Sequence, residues 1–163
     1  MSEKTHWLQS PNKNYLGHWD LPESGEIVLT IESAKWEEVK NPITKTSEGK
    51  RVVRWKEKGY KPLICNETNA KAIYKSSSIK NMEDSSGVQV CLFISKVTDR
   101  RAREEVDCIR IRPINPYSLE KLKVLFEKKK TKIDPSHINR FKSIIENKES
   151  SSYMKAFNHL NSL

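Results

Sequence analysis

Apolar and polar residues alternate with a period of two from Glu26 to Val39. Ile27, Leu29 and Ile31 fall on one side, and Val28, Thr30 and Glu32 on the other. This alternation predicts a long strand, because successive side chains of an extended chain point to opposite faces. Lys40–Gly49 is polar and turn-rich. Lys50–Lys58 predicts a second strand ending at the Gly59 turn. Tyr60–Cys65 predicts a third, with Pro62 near its start, where a missing amide does least harm. The polar run Asn66–Asn69 can cap a short helix over Ala70–Lys75, since Asn and Thr oxygens accept free amides at a helix start. Ser76–Gly87 is a polar connector. Val88–Val97 is almost continuously apolar, the pattern of a strand buried on both faces. A charged hairpin, Asp99–Glu104, leads into a fifth strand at Glu105–Arg112, closed by Pro113.

The period changes after Ile114. Leu119, Leu122 and Phe126 recur at helical spacing behind a Ser118 cap, and Asp134-Pro135 opens a second helix with proline at its first position. Ile138, Phe141, Ile144 and Ile145 form one stripe; Tyr153, Phe157 and Leu160 form another. Residues 1–24 are crowded with breakers yet carry Trp7, Tyr15, Leu16 and Trp19, which suits a lid laid over a core. The chain therefore divides into an irregular N-terminal lid (1–24), a β unit (25–113) and a helical extension (114–163). Three strands, a short helix and two more strands is the connectivity of the OB-fold. The expected architecture is mainly β, a five-stranded OB-like barrel followed by two or three helices. Its predicted core is Ile27, Leu29, Ile31, Val90, Leu92, Ile94, Ile109 and Ile111.

Composition sharpens this picture in one respect. Of 163 residues, 36% are hydrophobic and 31% charged, and the net charge is +9. The excess is uneven: residues 1–49 carry five lysines against eight acids, so the positive charge lies in the remainder. A concentrated basic balance favours a polyanionic partner, because each neutralised phosphate releases counterions. No apolar run approaches the ~20 residues of a membrane helix, and no secretory pattern follows Met1. A cytoplasmic protein with no membrane association is expected.

Catalytic patterns are missing. The five glycines stand alone, so no phosphate-cradling loop can be written. Glu37-Glu38 and Glu104-Glu105 are neighbours on strands and face opposite sides, so neither pair converges on one atom. His18 and Asp20 have no nucleophile beside them. Cys65, Cys91 and Cys108 are widely spaced within apolar runs, which reads as buried free thiols, with no zinc site. A non-catalytic protein without metal or cofactor is expected.

The second strand carries the strongest binding signal. Lys50–Lys61 holds six cations and one acid, interleaved with Trp55 and Tyr60. Single-stranded nucleic acid is held by such a combination, cations along the phosphates and flat rings under the bases. Trp55 and Tyr60 are the stacking candidates. Arg51, Arg54, Lys56, Lys58 and Lys61 are the phosphate candidates, with Arg110 and Arg112 on the fifth strand. The structural alternatives are that Trp55 belongs to the core and that Arg110 and Arg112 pair with Glu26 or Glu32 across strands. Arg100, Arg101 and Arg103 form an exposed basic hairpin. Lys121–Lys132, with six cations and one acid, is a further basic segment, read as a solvated helix face.

Several segments carry a resemblance. They are Tyr15-Leu16-Gly17 with Asp20-Leu21, Lys61-Pro62-Leu63 through Asn66-Glu67-Thr68-Asn69-Ala70-Lys71, and Asp107-Cys108-Ile109-Arg110-Ile111-Arg112-Pro113. Over residues 13–113 the chain resembles small phage- and mobile-element-encoded proteins akin to OB-fold single-stranded DNA-binding proteins. The resemblance implies an OB-like barrel engaged in phage DNA transactions, and it transfers no catalytic residue. The acidic tail of bacterial single-strand-binding proteins is not matched, since the last fifty residues here are basic and helical in pattern. The expected function is non-catalytic binding of single-stranded nucleic acid, DNA above RNA, for a phage or mobile element. The alternative is a protein-interaction module, for a virion component or host factor, using the barrel and the amphipathic C-terminal helices. Those helices are also where a second copy could dock.

Overall fold

The long amphipathic strand forms as β1 (Glu26–Lys40) and organises the sheet. The structure, a computed structural model, describes residues 14–99 and 103–163. Trp7 of the predicted lid, and Arg100 and Arg101 of the predicted basic hairpin, lie outside the described residues. The other strands are β2 (Ser47–Trp55), β3 (Leu63–Ile64), β4 (Gln89–Asp99) and β5 (Glu104–Ile111), with α1 (Glu67–Ser77) between β3 and β4. All neighbours are antiparallel, in the order β3-β2-β1-β4-β5.

β1 serves two ladders. Its first part pairs with β4, from Glu26 opposite Phe93 to Thr30 opposite Gln89. Its second part pairs with β2, from Ile31 opposite Trp55 to Lys40 opposite Ser47, with a register shift between Ile31 and Ser33. Such a bulge bends a strand and lets it pass from one ladder to another. β3 is only two residues long, against the six predicted. Pro62 cannot donate to a ladder, and Asn66 already caps α1 by accepting the Asn69 amide at 3.0 Å.

No ladder joins β3 to β5 among the described residues, so the sheet stays open where the expected barrel would close. α1 occupies that seam. The Asn69 side chain is buried; its amide donates to the Ile109 carbonyl at 3.1 Å and its oxygen accepts from the Ile111 amide at 3.1 Å. One side chain thus satisfies two backbone groups on the β5 edge that would otherwise lack partners.

The inner face of the sheet holds one core. It contains all the predicted core residues except Ile94, together with Leu16, Val53, Trp55 and Leu63. Ile94 is half-buried because β1 begins at Glu26, opposite Phe93, so Ile94 lies beyond that ladder, its amide bonded to the Gly25 carbonyl. The outer face carries a second core. Val28 and Cys91 are covered by α2 (Leu119–Lys129), α3 (Pro135–Glu146) and α4 (Tyr153–Asn161) through Leu122, Phe126, Phe141, Tyr153 and Leu160. β4 is accordingly buried on both faces around Val90–Leu92, as its apolar run predicts. Glu57 ties the helices to the sheet: its carboxylate accepts from the Thr30 amide at 2.9 Å and from the buried Ser150 hydroxyl.

Candidate nucleic-acid interface

The predicted site residues do not form one strip. Trp55 lies on the inward side of β2 and is 6% exposed, with its indole N–H donating to the Lys61 carbonyl at 3.1 Å. It is a core residue and has no face free for a base. Arg54 points to the other side and grips Glu37 through both terminal guanidinium nitrogens, holding that carboxyl below the usual range. Lys61 bonds Asp20 at 2.8 Å. Arg112 pairs with Glu26 and lies 4.3 Å over the Phe93 ring, the cross-strand alternative weighed above. Arg110 is half-buried opposite Phe93 on the same outer face. Tyr60 is half-buried against the inner core, and burial pushes its phenol up. Lys56 and Lys58 are exposed in the turn that Gly59, at φ +91°, completes. Acids distant in sequence neutralise much of the run, while its own acid, Glu57, turns inward to Thr30 and Ser150.

Arg51 is the exception, because it joins a group that alternation along the chain did not find. It stands opposite Trp36 in the β1–β2 ladder, with its guanidinium 4.9 Å from the indole centroid. Trp36 is 58% exposed. Gly49, on β2, lies beneath the same ring, where an added Cβ would sit 3.8 Å from the indole. Strict alternation from Ile27 puts Trp36 on the outer side with Val28. The bulge after Ile31 inverts that parity, so that Ala34 joins the inner core and Trp36 follows it.

Beside this pair opens a cavity of about 320 Å³ between the β1–β2 hairpin and α1. Its floor is apolar, with Ala34, Val53, Ala70 and Ile73; its rim is Arg51, Lys71, Tyr74 and Lys80. Tyr74 is 52% exposed, unusual for so large a ring. Glu67 is the acid on the rim, bonded to Arg51 at 2.9 Å and 3.8 Å from the Lys71 ammonium. Cys65 lines the wall, its thiol pushed up to about 11 by burial. Two exposed rings, three cations and an apolar hollow therefore share one side of the sheet. Such a surface can stack planar groups and hold anions between them.

No group of three or more His, Cys, Asp or Glu side chains is placed to hold a metal ion among the described residues. No helix there is long and apolar enough to cross a membrane. Comparison with protein-family models, with curated proteins and with solved structures returns no match.

Proposed function

We propose that this chain binds single-stranded nucleic acid, without catalysis, on the inner side of the β1–β2 hairpin. The observation that carries the reading is Trp36: a large ring exposed on a strand, backed by Gly49 and crossed by Arg51, which itself lines the neighbouring cation-rimmed cavity. Bases stack on Trp36 and Tyr74, while Arg51, Lys71 and Lys80 meet the phosphates. Lys56 and Lys58, which form no ion pair among the described residues, extend the positive surface along the β2–β3 turn.

The architecture fits the reading. The five strands are read as an open variant of the OB-like barrel, with α1 and Asn69 standing at the β5 edge where the last ladder would form, and OB-folds bind oligonucleotides at the second and third strands and the first loop. With the resemblance noted above, the proposal extends to a phage or mobile-element DNA-binding protein acting in the host cytoplasm.

Oligo-dT titration tests it. The expected result is quenching of tryptophan fluorescence at low salt, with affinity falling as salt rises by about 0.7 log units per log unit for each phosphate contact. Absence of quenching and of a gel shift at low salt refutes the reading. The protein-interaction module then takes its place.

A further inference from the structure

A second basic site lies on the far side of the molecule's outer core. The start of α3 meets the end of α4, where the His137 and His159 rings touch edge to face at 5.4 Å. His159 also lies 5.5 Å from Phe141. Together with Arg140 and Lys155, the two imidazoles line a cleft of about 210 Å³ floored by Phe141 and Ala156. Acids are missing from that lining. Asp134, the cap of α3, accepts through Oδ1 from the Ser136 amide at 2.8 Å and hydroxyl at 2.6 Å; these bonds, with a smaller contribution from nearby His137, hold its carboxyl below its usual range. Glu149 accepts from the Ser152 hydroxyl at 3.5 Å. Arg140 and Lys155 form no ion pair among the described residues.

A guanidinium, an ammonium and two imidazoles line one small cleft with no acid among its lining residues, a setting that favours an anion. The donors are of the kind that surround a tetrahedral oxyanion: a planar guanidinium, an ammonium and two imidazoles. The cleft has room for one or two phosphoryl groups and is too small for a protein surface. Nucleic-acid binding at Trp36 neither requires nor excludes this site.

We propose that the α3–α4 cleft binds a phosphoryl group, carried either by a free diphosphate-type anion or by the 5′ end of a nucleic acid. The test uses the full chain and inorganic pyrophosphate at constant ionic strength, read by calorimetry and by the imidazole proton resonances. Saturable heat is expected, with the His137 and His159 resonances moving together. Affinity should fall about tenfold or more in the double variant Arg140→Ala/Lys155→Ala, both positions being exposed. Lys155→Gln alone gives a smaller loss and serves if the double variant folds poorly. Trp36→Ala should leave pyrophosphate binding unchanged, which separates this site from the one proposed above. Displacement of pyrophosphate by a 5′-phosphorylated oligonucleotide, but not by its 5′-hydroxyl counterpart, identifies the nucleic-acid end as the source; displacement by neither identifies the free anion. Non-saturable heat, unmoved imidazole resonances, or equal affinity in the variants overturns the proposal.

Discussion

Replacing Trp36 and Trp55 by alanine, one at a time, separates binding from folding within a single ladder. Trp36 is 58% exposed and rests on Gly49 with Arg51 across its face, whereas Trp55 is 6% exposed in the inner core. Removing a stacking ring costs about 1–3 kcal/mol of nucleic-acid affinity, so Trp36→Ala should weaken oligo-dT binding by about 5- to 150-fold. Its cost to stability should be near that of an exposed cation–π contact, about 0.5–1 kcal/mol. Trp55→Ala opens a cavity and strands the Lys61 carbonyl, for a loss of about 3–5 kcal/mol in stability. Fluorescence anisotropy of a labelled oligo-dT at low salt, run beside urea unfolding of the same samples, measures both quantities. Trp36→Phe keeps a ring and should retain part of the affinity. Parental binding by Trp36→Ala, or a stability loss as large as that of Trp55→Ala, would falsify the assignment of Trp36 as the platform.

Four further outcomes follow from contacts elsewhere. Glu67→Gln releases Arg51 and Lys71 and should tighten oligo-dT binding about 2- to 5-fold with a steeper salt dependence; unchanged or weaker binding at low salt contradicts the rim as described. Asn69→Ala leaves the Ile109 carbonyl and Ile111 amide unpaired and should cost about 2–4 kcal/mol, with faster hydrogen exchange at Ile111. An Ile111 amide that keeps its protection would show that the seam does not depend on this side chain. Cys65 and Cys91 are buried with thiols raised by desolvation from 9.0 to about 11, so a thiol reagent at about pH 8 should modify the half-buried Cys108 first and the other two only on unfolding. Because those two thiols ionise later in the folded chain, the stability they contribute is full below 9.0 and is lost as the pH rises to about 11. A urea midpoint that holds steady across that window argues against their burial.

Strand and helix identity was legible where the signal is local. The period of two over Ile27–Ile31, the continuous run around Val90–Leu92 and the Asp134-Pro135 helix start all act through neighbouring residues, and each formed as its pattern predicts. The succession of three strands, a short helix, two strands and then helices also formed as expected, whereas the sheet does not close into the expected barrel. Charge was less legible. A window over Lys50–Lys61 counts six cations, but the acids that meet Arg51, Arg54 and Lys61 come from 16, 17 and 41 residues away. Counting along the chain cannot include partners that only folding brings near.

The candidate platform shows the same division at a single residue. That Trp36 lies in a strand is determined by its own segment, since extended chain continues on either side of it. Which face it occupies is decided by one extra residue between Ile31 and Ser33, where β1 leaves β4 and takes up pairing with β2. A shift of one position exchanges the two faces of a strand. That shift arises from the competition of two ladders for one strand, so it becomes visible only once both partners are in place, and it turns an outward-facing indole into one that shares a side with Ala34, Arg51 and the cavity beside α1.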